Sequence, residues 1–233
     1  IINNPRKFYR VTNPNVKIVQ LCFVLRSSDS TKQTEDIFVP LYEQGISVLL
    51  LNPSVKVLFG NPQRSPYFVD DSSKFNIVAK SVAIGTKTKR MELLINNNLI
   101  SQTNNDTIQF FFDSKNYQSG TNKIKIVAVD TSELRDSVEF ILMKNPAVKN
   151  LALPQNLEHG INIIGSDVYL VLFAPYKKFI YVIGDFNDWR VDTNYFMNRY
   201  EIRPDSVLFW IKLSKLNENT EYAFQYLIDG SLR

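Results

Sequence analysis

What most constrains this chain is the rhythm of its apolar runs: none is longer than a strand, and turn residues interrupt them throughout. Between residues 46 and 145 the runs cover 48–51, 75–79, 91–95, 108–112, 123–129 and 137–143. Asn96-Asn97-Asn98 supplies a turn signal, and Gly120 precedes the final pair. An amphipathic helix needs a 3.6-residue period over some ten residues or more, whereas a strand needs only four to eight residues bounded by turns. Short strands spaced by about ten residues predict an all-β sandwich of about 100 residues for this segment.

Composition agrees with strands. The 233 residues are 44% hydrophobic and 12% aromatic, with 16 Phe and 11 Tyr, residue types that suit a pleated, half-buried surface. The length suits one large domain or two small ones, and three if the modules are short. A net charge of +4 arises from 27 basic and 23 acidic residues spread along the chain. This leaves no basic patch for nucleic acid or a membrane surface, and Lys87-Thr88-Lys89-Arg90, the densest cluster, is expected as a solvated loop. The apolar run 46–51 is far too short to span a membrane. Cys22 is the single cysteine, so no intramolecular disulfide forms, and its apolar strand predicts a small buried thiol. The chain opens Ile1-Ile2-Asn3-Asn4 without an initiator Met or signal peptide and stops at Arg233, so it is expected to be a piece of a longer polypeptide.

Turn chemistry divides the chain into three segments, 1–45, 46–146 and 147–233. In the first, Asn13-Pro14 starts an alternating strand over 16–25, and the polar stretch 27–35 leads to a second strand over 37–42. Two strands are marginal alone, so this hairpin is expected to be the remnant of a larger sandwich. In the third, Pro154 and Gly160 mark an entry loop, and strands are expected over 168–173, 179–183, 207–213 and 222–228. Tyr222, Phe224, Tyr226 and Ile228 alternate with Ala223, Gln225 and Leu227, so the last strand is apolar on both faces. Such a strand is covered on both sides, by the second sheet and then by a neighbouring domain or a ligand. No internal repeat and no low-complexity segment is present.

Catalytic constellations are hard to build from these residues. His159 is the only histidine and lies in Glu158-His159-Gly160, so a Ser-His-Asp or Cys-His arrangement would have to use it, and no nucleophile-elbow glycine pattern accompanies a Ser or Cys. One His and one Cys make a poor zinc site, and eight glycines include no phosphate-cradling loop. Asp70-Asp71 is expected as a solvated loop rather than a calcium site. No catalytic residue, metal ligand or cofactor is assigned.

One motif stands out. Gly184-Asp185-Phe186-Asn187-Asp188-Trp189 is set between strands, and the turn Asp229-Gly230 follows later. This box resembles the carbohydrate-binding module of family 48, an early-set immunoglobulin-like sandwich in front of the catalytic barrel of many family 13 (α-amylase family) glycoside hydrolases. Residues 122–130 resemble the penultimate strand of bacterial immunoglobulin-like spacers, which carry no chemistry. Phe23-Val24-Leu25-Arg26 with Asp36-Ile37-Phe38-Val39 resemble the closing strands of starch-binding sandwiches at the front of some bacterial amylases. The resemblance implies tandem immunoglobulin-like and early-set β-sandwiches: a starch-binding-type remnant, a spacer, and a family 48-type module. It implies an α-glucan as partner, starch or glycogen, with the catalytic barrel of the same polypeptide as the second partner. The boxes of that barrel (Asn-His, Gly-Phe-Arg-x-Asp and Asn-His-Asp) do not occur here, and a barrel needs about 250 residues.

Under this resemblance Trp189 is the first candidate for stacking on a glucose ring, Trp210 and Tyr195 are second-rank platforms, and Asn187 and Gln225 are candidate hydrogen-bonding residues. Two readings of the box stay open: a sugar contact, or a structural mount in which Trp189 packs against a following catalytic domain. Glycogen-binding members of the family add a Lys in the next-to-last strand and a Trp after Asp-Gly, where this chain has Gln225 and Leu232. Asp185, Phe186 and Asp229-Gly230 are expected as framework. The function expected is a non-catalytic N-terminal accessory region of an exported bacterial α-amylase-family enzyme. The alternative is a stand-alone α-glucan-binding or surface scaffold protein with no catalytic domain.

Overall fold

The computed structural model describes residues 5–13, 20–40, 45–55 and 61–232, and the fold is all-β. A single helical turn, α1 (Pro5–Phe8), precedes the first hairpin. β1 (Gln20–Phe23) pairs antiparallel with β2 (Ile37–Pro40), with Leu21 opposite Val39 and Phe23 opposite Ile37. Positions 16–19 and 41–42 of the expected strands lie outside the described residues. Between β1 and β2 the Asp29 carboxylate accepts bonds from the Ser27 and Thr31 hydroxyls and the Thr31 N–H, closing the polar loop. Leu21 is buried, but Cys22 is exposed, contrary to the buried thiol expected. The reason is geometric: among the described residues no second sheet covers the β1–β2 ribbon.

The next body holds β3 (Gly45–Asn52), β4 (Tyr67–Val69), β5 (Lys74–Ile84), β6 (Thr88–Ile95), β7 (Asn98–Thr103), β8 (Thr107–Asp113), β9 (Gly120–Asp130) and β10 (Arg135–Lys144). They form a five-stranded sheet in the order β4-β10-β9-β6-β7 and a three-stranded sheet in the order β3-β5-β8. Period-two alternation puts Met91, Leu93 and Ile95 of β6 beside Ile124, Ile126 and Ala128 of β9 on the inner face. Ile77, Phe112, Phe140 and Leu142 complete the core. Each of the larger side chains (Ile, Leu, Met and Phe) contributes about 1.5–3 kcal/mol relative to exposure. Asn96 and Asn97 both take positive φ, 52° and 67°, and turn β6 into β7 as a two-residue hairpin requires. Of the basic cluster expected as a loop, Lys87 precedes β6 but Thr88, Lys89 and Arg90 begin it, with Lys89 paired to Glu133 and Arg90 to Glu92.

The last body contains β11 (Gly160–Ile164), β12 (Asp167–Phe173), β13 (Ile180–Gly184), β14 (Asn198–Arg203), β15 (Ser206–Leu213), β16 (Phe224–Ile228) and β17 (Ser231–Leu232). The sheets run β11-β12-β15-β14 and β13-β16-β17. Gly160, expected in an entry loop, begins β11 instead. Leu170, Ile180, Val182, Met197, Val207, Phe209, Ile211 and Leu213 pack between the sheets. The opposite face of β13 and β16 also finds cover. Tyr181, Ile183, Leu227 and Val191 cluster with Met143 of β10, flanked by Phe68 of β4. The neighbour on the outer face of this apolar sheet is therefore the preceding sandwich.

Candidate functional site

β13 is buried along its whole length and delivers the chain into the 184–189 box at the edge of this seam. Gly184 is required by close approach. A Cβ there would overlap the Ala223 carbonyl oxygen and stand 2.9 Å from both Phe224 Cβ and the Phe186 ring. Asp185–Asn187 then form one 3-10 turn, and Asp188 and Trp189 both adopt left-handed backbone, φ 54° and 57°.

Side chains close the turn on itself. The Gly184 N–H donates to Asn187 Oδ1 at 2.9 Å, and Asn187 Nδ2 donates to the Val182 carbonyl at 3.1 Å. The Trp189 backbone N–H returns to the Gly184 carbonyl at 2.9 Å. Asp185 uses both oxygens: Oδ1 accepts the Trp189 indole N–H at 2.8 Å and Oδ2 accepts the Ala223 N–H at 2.8 Å. Phe186 turns inward and stacks on Tyr195, ring centroids 5.2 Å apart. The Asp229-Gly230 turn is built the same way, with Asp229 Oδ1 accepting the backbone N–H groups of Lys178 and Phe179. Gly230, at φ 82°, faces Phe68 of the preceding sandwich at 2.9 Å from where a Cβ would lie.

The box is tied across the seam. Arg64 Nη2 donates to Asp188 Oδ1 at 3.0 Å and Arg64 Nε to the Asp188 carbonyl at 3.2 Å, while Arg190 holds Asp188 Oδ2 at 2.8 Å. These bonds, Arg190's foremost, keep the Asp188 carboxyl below its ordinary pKa. The Val191 N–H donates to the Gln63 carbonyl at 3.2 Å. Trp189, half-buried, packs on the seam cluster of Met143, Tyr181, Ile183, Val191 and Leu227.

The expected sugar-contacting residues fall into two places. Gln225 stands opposite Ile183 in the β13–β16 register, on the sheet face that carries Tyr181 and Leu227, and is exposed. Trp189 packs on that same face. Trp210 lies on the outer face of the other sheet, half-buried, with its indole N–H donated to the Leu151 carbonyl at 3.1 Å. Tyr195 is half-buried against Phe186, and burial, then the Asp192 charge, raises its phenol pKa. Asn187 holds the turn through the two bonds given above. Sequence reading missed Arg64 as a partner of the box, and Asn145 and Phe68 as partners of Tyr181 and Gly230 in the same module. No local pattern could have found them, because each reaches the module from another body. Among the described residues no three of His, Cys, Asp and Glu gather as metal ligands. No helix of the described residues is long and apolar enough to cross a membrane.

No protein-family model matches the chain. No curated protein matches it either. Solved structures are similar at the level of β modules. Fibronectin(III)-like modules of Clostridium thermocellum CbhA are 17% identical over 42% of this chain and 97% of theirs, at TM-score 0.29. SGBP-B of the Bacteroides ovatus mixed-linkage glucan utilization locus, solved with a mixed-linkage heptasaccharide, is 10% identical over 79% of this chain and 44% of its own, at TM-score 0.33. A pullulanase from Anoxybacillus is 12% identical over 72% of this chain and 24% of its own, at TM-score 0.24. The chain thus spans less than half the length of the latter two. At these scores the likenesses carry no functional argument, and the all-β class rests on the sheets themselves.

Proposed function

We propose that this chain is a non-catalytic accessory region of an exported α-amylase-family protein. It holds a catalytic barrel of the same polypeptide on starch- or glycogen-type α-glucan, and the 184–189 box serves as the mount of the last module. The observation that supports this reading is Trp189: its indole N–H is tied to Asp185 and its ring packs on the seam shared with the preceding sandwich. A side chain held in this way is a structural anchor more than an open platform. The resemblance of the box supplies the substrate class. Weak glucan contacts on such a region gain through effective concentration once the barrel is tethered to it.

Native gels cast with glycogen, amylopectin or dextran test the proposal. Retardation by the first two with free passage through dextran is the expected result. Equal migration in all three gels overturns the α-glucan reading.

A further inference from the structure

The seam that anchors the box also leaves an opening. A cleft of about 500 Å³ lies where β4 and the chain leaving β10 meet residues 178–179 and Asp229. That volume and its position between two modules are what ligand sites show. One wall is aromatic, made by Phe68 and Phe179 with ring centroids 5.4 Å apart. The rim carries Asn145, Asp71, Lys178 and Asp229. Tyr181 fixes the Asn145 amide by donating to its Oδ1 at 3.0 Å, which leaves Nδ2 without a protein partner among the described residues.

Charge decides the ligand class. The lining carboxylates Asp71 and Asp229 are countered by Lys144 at 2.8 Å and Lys177 at 3.9 Å, and Lys178 shares the lining with Asp70. A balanced rim favours neither an anion nor a cation. It offers fixed acceptors, an amide donor and an ammonium above an apolar aromatic wall, the combination that a ring with hydroxyl edges and an apolar face satisfies. The Asp71 side chain is 83% exposed and Val148 is 44% exposed, so the cleft opens to solvent along its rim.

We infer that this seam cleft, apart from the Trp189 turn, binds a segment of a neutral polysaccharide. The inference rests on the proposed α-glucan reading and gives it a location. The test uses the whole chain in glycogen gels beside two variants, Ala147→Trp, which fills the cleft from an exposed position, and Lys178→Ala, which removes a rim donor. Ala147→Trp abolishes retardation, and Lys178→Ala weakens it about tenfold, as loss of a charged hydrogen bond does. Melting temperatures show whether each variant is folded, and the exposed Lys178 variant serves if the bulkier one is not. Wild-type retardation with both folded variants unchanged overturns the cleft and leaves the α-glucan reading standing. No retardation of the unmodified chain overturns both.

Discussion

The Tyr181 hydroxyl of β13 donates to Asn145 Oδ1 at 3.0 Å, joining the last module to the segment that leaves the preceding sandwich. Tyr181 is wholly buried. Burial, and secondly the charge of Asp192, holds its phenol pKa well above the ordinary value. Tyr181→Phe strands the Asn145 amide oxygen and is expected to cost about 1 kcal/mol in urea unfolding near neutral pH. The raised pKa sets a pH dependence as well. A phenol with a folded pKa above its unfolded value, about 10, contributes fully below pH 10 and loses that contribution as pH rises further. Stability should therefore decline from about pH 10 upward, less steeply in Tyr181→Phe. Tyr226, also raised by burial, keeps part of the decline in place.

Gly184→Ala places a methyl group against the Ala223 carbonyl and the Phe224 Cβ, neither of which is a flexible side-chain end. The expected loss is about 3 kcal/mol, as for overpacking of a rigid site. Thermal unfolding checks it, and a wild-type melting temperature would mean that β13 and β16 do not approach as described.

Asp185→Ala removes the acceptor of both the Trp189 indole and the Ala223 N–H. A loss of about 1–2 kcal/mol is expected. In a Trp210→Phe background the emission of Trp189 should shift to the red as the ring leaves the seam. Unchanged emission would show that Asp185 does not hold it.

Lys144 is buried, and its ammonium donates to the carbonyls of Ser114 and Tyr117 at 2.9 Å each while pairing with Asp71. Lys144→Met leaves two carbonyls without their donor and should cost about 2–4 kcal/mol. Asp71→Ala removes a solvated partner and should change stability little. Equal effects in chemical denaturation would contradict this division.

Cys22 is exposed on the β1–β2 ribbon and should react with a disulfide reagent in native protein, without denaturant. Desolvation, and then the Asp36 carboxylate, raises its thiol pKa, so the rate should climb with pH. Protection in the native state would mean that another surface covers this face.

Most strands were legible because their signal is local. Alternating residues such as Met91, Leu93 and Ile95 declare a buried face by themselves, and Asn96-Asn97 declare the turn that follows. The strands that escaped lack that density. β7 is a mostly exposed edge strand, and β4 is a three-residue segment aligned parallel to β10, with five strands between them in the chain. β11 sits at a sheet edge with Ile161 and Ile163 exposed. β14, an edge strand of the same sheet, is half-buried to exposed.

The sequence by itself determined the all-β class and the main turns, because these follow from contacts within a few residues, whereas the box closes partly on Ala223, 38 positions from Asp185. Only the tertiary structure decided what covers the outer face of β13 and β16, that Trp189 packs on the seam cluster, and that Phe68 and Phe179 wall a cleft in the seam. Arg64 and Asp188 are separated by 124 positions, and Tyr181 and Asn145 by 36. Burial and pairing over such distances depend on how two sheets dock, which no stretch of residues encodes alone.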